Sequence, residues 1–191
     1  MTSLYLVRHG RPSIDATRPA NEWPLAYPWD PALVQLREAG VLPITARWVS
    51  SPEPKAHATA TVLRGRSVET CAELVEQKRG TQWFDDPAEL AATVCRAVMR
   101  PAQSADTGWE PAAVTARRVV GAVHALTSQT AGDLVLVGHG TAWTLVVAQL
   151  TSSDPDLAAW RAMRMPDVCH LDVSRAAARV RRPWGFVGGG T

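Results

Sequence analysis

Two short apolar runs constrain this chain more than any other feature. Leu4-Tyr5-Leu6-Val7 ends abruptly in Arg8-His9-Gly10, and Leu134-Val135-Leu136-Val137 ends in Gly138-His139-Gly140. A continuous run of four or five apolar residues, rich in β-branched and aromatic side chains, suits a strand buried on both faces in the middle of a parallel sheet. Each run leaves a histidine and a glycine at its carboxyl tip. In an open α/β sheet, ligands sit just beyond those tips. The expectation is that the two imidazoles meet there, with the glycines letting the backbone turn close to a ligand.

The intervening chain alternates between strand and helix signals, which predicts a three-layer α/β/α sandwich with a mainly parallel central sheet. Arg11 to Asp30 holds four prolines and two tryptophans and reads as a long functional loop. Ala32 to Ala39 reads as a helix stopped by Gly40. Ala46 to Val49 reads as a strand, followed by a helix start at Ser50-Ser51-Pro52-Glu53: serine as cap, proline first, acid in the first turn. That helix is expected to reach about Leu63 and to end at Gly65. A short strand over Ser67 to Cys71 precedes a polar loop, Glu73 to Asp86.

Asp86-Pro87-Ala88-Glu89 opens another helix, closed by Pro101. After a loop over Gln103 to Gly108, Pro111 to Leu126 is a long helix with Val114, Val119, Val123 and Leu126 near one face. Thr141 to Leu150 is apolar nearly all round and so buried. Asp154-Pro155 opens a last helix, and Val168 to Val173 alternates as an edge strand does. The whole, residues 1–191, reads as one domain with a loop and helical flap at about 73–110 and a glycine-rich tail at about 185–191 expected to fray.

Composition narrows the function classes. A net charge of +2 with 20% charged residues is too small to argue for nucleic acid or a membrane surface. No apolar run approaches the ~20 residues of a membrane span. Cys71, Cys95 and Cys169 are odd in number and widely spaced, without a CxxC, so a disulfide framework or a zinc site is not expected and a reducing cytoplasm fits. Of the twenty Lys and Arg residues only Lys55 and Lys78 are lysines, which draws attention to a lysine at a working position.

The expected rim carries Arg8, Lys55 in the first turn after Ser51, two imidazoles and a helix N-terminus, a cationic set of donors suited to a phosphoryl group. Arg8 offers a fork for two oxygens, while Lys55 is a point charge. A neutral imidazole is a good nucleophile near neutral pH, and attack on phosphorus gives a phosphohistidine. The leaving alkoxide then needs a proton from an acid. Glu76, in the polar loop, is the first candidate, provided its pKa is raised; Asp85, Asp86 and Glu110 are rivals.

Taken together these segments resemble the histidine phosphatase superfamily, the phosphoglycerate-mutase-like fold. Leu6-Val7-Arg8-His9-Gly10 is similar to its nucleophile motif, and Ser50 to Ala60 to its Ser-Ser-Pro helix start. Leu74 to Gly80 is similar to its proton-donor segment, Val137 to Gly140 to its second-histidine motif, and Gly108-Trp109-Glu110 with Arg118 to the lead into a later helix. The resemblance implies His9 as phosphate acceptor, His139 as second histidine, Glu76 as donor, and Arg8, Lys55, Ser51 and Gly140 around the phosphate. The sequence departs from the pattern at Lys55, where the family has a second arginine, at Thr81 to Asp86, and in its proline- and tryptophan-rich loop after His9.

The expected activity is a metal-independent phosphatase without cofactor, acting on a small-molecule phosphoester. A phosphomutase is the first alternative, and a phospho-ligand or protein-binding member that has lost turnover is the second. Blander roles stand beside each assignment: structural histidines at strand ends, Lys55 or His57 on a solvated helix face, and His124 and His170 as structural residues. Trp23, Trp29, Trp83 and Trp109 either line a substrate mouth or pack loops onto the core.

Overall fold

The two apolar runs are neighbours in one sheet. The computed structural model describes residues 2–81, 83–174 and 177–185. The first run is β1 (Thr2–Arg8) and the second is β4 (Leu134–Gly138), paired in parallel from Leu4 opposite Leu134 to Arg8 opposite Gly138. β2 (Arg47–Ser50) lies on the other side of β4, and the two-residue β3 (Glu69–Thr70) beyond it. On the far side of β1 run β5 (Asp167–Val173), antiparallel, and β6 (Ala178–Arg182). The order is β3-β2-β4-β1-β5-β6.

Side-chain alternation along β1 and β4 creates the layers. Leu4, Leu6, Leu134 and Leu136 pack against α4 (Ala112–Ser128) and α5 (Gly140–Thr151), chiefly through Val119, Val123, Trp143 and Val146. Val7, Val135 and Val137 face the other way, onto Leu33 and Leu36 of α1 (Pro31–Glu38) and Ala60 and Leu63 of α2 (Pro54–Arg64). Burial of both faces is the physical reason for the unbroken apolar runs. A third cluster joins α3 (Pro87–Met99) to the body: Val94, Ala97 and Val98 meet Trp109, Ala112 and Leu145 of α5.

Several local readings shift. The helix after β2 begins two residues later than the serine-cap pattern predicts: Glu53 is the N-cap and Pro54 the first helical residue. Proline-first holds, but a second Pro-led start, Glu53-Pro54, wins over Ser51-Pro52, which frees Ser51 to face the sheet tips. The last helix, α6 (Leu157–Ala162), is capped by the Asp156 side chain on the Ala159 N–H, not by Asp154. Val114 is exposed while Val119, Val123 and Leu126 are buried, because it lies at the outer margin of the helix stripe. β5 is internal, covered by β6, which is the true edge. Of the tail, residues 186–191 lie outside the described residues.

Candidate active site

Strand register assembles the site before any side chain is considered. Arg8 is opposite Gly138, and the His9 N–H continues the ladder to the Gly138 carbonyl at 2.9 Å. Ser50 is opposite Val137, and the Ser51 N–H donates to the Val137 carbonyl at 2.8 Å. His9, His139 and Ser51 therefore leave three adjacent strands at the same level. The His9 and His139 ring centroids are 5.2 Å apart, with planes at 63°. Two residues 130 positions apart in the sequence thus share one pocket, as the matched strand tips require.

The His9 ring is oriented by one hydrogen bond. Its Nδ1 lies 2.7 Å from the Gly10 carbonyl, an acceptor, so in the neutral ring Nδ1 carries the hydrogen and Nε2 the lone pair. Burial, then His139, then Lys55 and Arg8, drive its pKa well below the ordinary value, against the Gly10 hydrogen bond, which raises it. The ring is neutral at physiological pH. The Gly10 N–H donates to Thr59 Oγ1, and Thr59 donates to the Lys55 carbonyl, so the turn after β1 is tied to α2. A Cβ on Gly10 would lie 2.9 Å from a Leu25 methyl, so the leucine side chain would have to give way to any larger residue there.

His139 is the N-cap of α5 and 1% exposed. Its Nε2 is 2.9 Å from Ser51 Oγ and 3.4 Å from Glu53 Oε1. Burial lowers its pKa to about 3, opposed by Glu76 and assisted by Lys55, Arg79 and Arg8. Trp143 sits beneath, its indole N–H donating to the Val7 carbonyl and its ring filling the space a Gly138 side chain would need. Arg8 crosses over the start of α5: a Cβ on Gly140 would be 3.3 Å from Arg8 Nε, and Arg8 Nη1 donates to the Met163 carbonyl at 2.6 Å.

Lys55 is buried, with its Nζ 2.6 Å from Glu53 Oε2 and 2.7 Å from the Ala20 carbonyl. Sequence reading placed Glu53 only as a first-turn acid. In the structure it is a buried N-cap carboxylate whose other oxygen accepts the Glu76 N–H at 2.8 Å. Burial raises its pKa above the usual carboxylate value, against Lys55 and the Glu76 amide, which lower it.

Glu76 reaches the site but not as a loose rim acid. Its carboxylate accepts from the N–H groups of Thr141 (3.1 Å) and Ala142 (2.9 Å) in the first turn of α5, and from the Gln77 N–H (2.9 Å). The anion-holding helix N-terminus filled here is that of α5, where sequence reading had looked to the helix after Ser51. Burial raises the Glu76 pKa, but Arg79, His139 and the backbone donors outweigh it and bring it to about 2. The free protein therefore holds Glu76 as a carboxylate, the opposite of the raised pKa that acid work requires.

The segment is fixed by Arg118, which donates to the carbonyls of Glu73, Val75 and Glu76 and pairs with Glu110 at 2.9 Å. The rival acids are employed elsewhere: Glu110 holds Arg118 and the Lys78 N–H, Asp86 caps α3, and Asp85 accepts from the Trp83 indole.

Arg79 was not singled out from the sequence. Its guanidinium lies 4.7 Å over the Trp109 ring and donates from Nη2 to Thr141 Oγ1 at 3.0 Å. Arg79 Nε, Arg8 Nε and His139 Nδ1 are buried without a hydrogen-bond partner. The signal that could have found Arg79 was its place three residues after Glu76, hidden by the abundance of arginine. Among the blander assignments, His57 is half-buried with Nδ1 3.1 Å from Ser50 Oγ, and His170 stacks on Tyr5 at 4.2 Å. Trp23 and Trp83 bring two loops into ring contact at 5.9 Å. Among the described residues no three of His, Cys, Asp and Glu are grouped to hold a metal ion, and no helix is long and apolar enough to cross a membrane.

The fold recurs among solved structures. Bacillus stearothermophilus YhfR superposes with a TM-score of 0.75 at 19% identity, covering 95% of this chain and 96% of that one. A mycobacterial glucosyl-3-phosphoglycerate phosphatase gives 0.73 at 20% identity, covering 95% and 97%. A phosphoglycerate mutase from Bacillus anthracis gives 0.75 at 16% identity, covering 95% and 92%. Comparison with curated proteins yields no match. The family model of the histidine phosphatase superfamily (branch 1) matches residues 32–183. The chain belongs to that superfamily. The matched span begins after β1, so it is the strand register, not the family match, that brings Arg8 and His9 to the other motifs.

Proposed function

We propose that this protein is a phosphatase that hydrolyses a small-molecule phosphate monoester through a phosphohistidine on His9, without a metal or other cofactor. The observation that carries the reading is the convergence of two buried neutral imidazoles, one with its Nε2 lone pair free, beside Arg8 and Lys55. Names of structural relatives support it, since they include phosphatases acting on different phosphoesters.

In the first step the His9 Nε2 lone pair forms the N–P bond while the P–O bond to the leaving group breaks in line. Arg8, Lys55, Ser51, His139 and the Gly140 backbone surround the phosphoryl oxygens and hold the charge that spreads over them. Glu76 protonates the leaving oxygen. Being a carboxylate in the free protein, it takes that proton from the substrate, whose monoanion is abundant near and below pH ~6. The bound phosphate's charge also opposes ionisation of Glu76. In the second step water attacks phosphorus, the N–P bond breaks, and Glu76 receives the water's proton. The three cysteines are free thiols, which supports a reducing, cytoplasmic setting.

Replacing His9 by alanine tests the proposal directly. Hydrolysis of 4-nitrophenyl phosphate, with chelator present, is expected to disappear, and acid-quenched wild-type enzyme is expected to carry acid-labile phosphate. Turnover unchanged in H9A removes His9 from the mechanism. Tight phosphate binding without turnover across a phosphoester panel selects a binding protein, and isomer exchange with slow hydrolysis selects a mutase.

A further inference from the structure

Lys55 is poorly placed to act as a full phosphate ligand. An ammonium has three donors, and two of them are taken by Glu53 and the Ala20 carbonyl. Glu53, equally buried, also offsets its charge. A second forked cation is therefore missing at position 55, while a half-buried guanidinium stands nearby with one hydrogen bond from Nη2 and a buried Nε without a partner.

We infer that Arg79 is a ligand of the bound phosphoryl group and supplies the planar fork that Lys55 lacks. The inference rests on the phosphatase reading of this same site. The charges of Glu76 and Glu53 act on the half-buried Arg79 guanidinium, but a charge taken out of water stays costly unless its donors are hydrogen-bonded as well. Arg79 spends only Nη2, on Thr141, and its Nε is buried with no partner. The nearby carboxylates do not bond it: Glu53 holds Lys55 and the Glu76 N–H, and Glu76 holds three backbone N–H groups.

Its orientation is set from two sides. The Trp109 face supports the guanidinium plane at 4.7 Å, and Thr141 holds one edge. Thr141 follows Gly140, against which Arg8 lies. Two guanidinium groups thus flank the first turn of α5, each with a buried Nε that has no partner. The Glu76 carboxylate acts on both charges but is bonded to backbone N–H groups instead, and a tetrahedral phosphoryl anion satisfies both forks.

The experiment is calorimetric titration of inorganic phosphate and of orthovanadate into wild-type protein, R79M, R79K and K55R/R79M, each checked for fold by circular dichroism. Methionine keeps the packing on Trp109 without the charge. R79M is expected to weaken binding about tenfold or more, since charge-assisted hydrogen bonds are the strong ones. R79K is expected to fall between, and K55R/R79M to recover several-fold as the fork returns at position 55. Binding by R79M within about twofold of wild type overturns the role of Arg79 and leaves the phosphatase reading standing. If R79M does not fold, R79K decides, and unchanged binding there overturns the inference equally. Wild-type protein that binds neither anion refutes the phosphate site itself, and the inference with it.

Discussion

The buried imidazoles make a prediction whose sign differs from that of ordinary histidine chemistry. For a histidine with an unperturbed pKa of ~6.5, the neutral fraction falls from about three-quarters at pH 7 to about 3% at pH 5, a loss of about 25-fold. His139 is held at about 3 and His9 well below the usual value. His139 should then stay neutral through that whole range, and the downward shift of His9 favours its neutral form below the ordinary histidine range as well. Meanwhile the monoanion of an alkyl phosphate with a second pKa of ~6 rises from about a tenth to about nine-tenths of the total. Because Glu76 is a carboxylate at about 2 in the free protein, the monoanion is the form that brings the needed proton. The value of kcat/KM for an alkyl phosphate is therefore expected to increase about tenfold from pH 7 to pH 5, where titrating histidines would lower it. The assay is phosphate release at constant ionic strength with chelator present, with circular dichroism confirming the fold at each pH. A net fall over this interval in folded protein, about 2.5-fold for one imidazole titrating near 6.5 once the monoanion's tenfold rise is included and more for two, would mean that the burial argument fails.

Two further outcomes follow from the same geometry. Glu76→Gln keeps one acceptor oxygen for the Ala142 and Gln77 N–H groups, loses the acceptor facing the Thr141 N–H and cannot deliver a proton, so hydrolysis of alkyl phosphates should drop by about 10²-fold or more while 4-nitrophenyl phosphate is much less affected; equal loss on both substrates would remove Glu76 as the donor. Gly138→Ala places a Cβ about 2.6 Å from Trp143 Cζ2, and because that ring is fully buried the overpacking should cost about 1–3 kcal/mol in denaturant unfolding. An unchanged midpoint would mean that the tryptophan shifts freely.

Much of the fold was legible because burial on both faces leaves an unmistakable pattern. Leu4 to Val7 and Leu134 to Val137 are central strands, and the glycines at 40 and 65 end their helices with positive φ. The readings that shifted were those decided by neighbours. Val168 to Val173 alternates as an edge strand would, yet β6 covers it, and no local pattern reports a partner strand. The start of α2 had two proline-led solutions two residues apart, and choosing between them depends on where Glu53 finds Lys55 and the Glu76 amide.

The amino-acid order by itself determined that two histidines would stand at strand ends, that an arginine would precede one of them, and that a polar segment around Glu76 would lie between them in the chain. Those facts are local, carried by hydrophobic period and by turn residues. Only the tertiary structure decided the charge states. Glu76 stays an anion despite its burial because Arg79 and His139 lie near it and α5 offers it backbone N–H groups from 65 and 66 residues away. Lys55 is restrained because Glu53 turns inward, and Arg79 matters because Trp109 and Thr141 hold it beside the pocket. Electrostatic energies depend on distance and on solvent access, and neither quantity exists until the chain has folded.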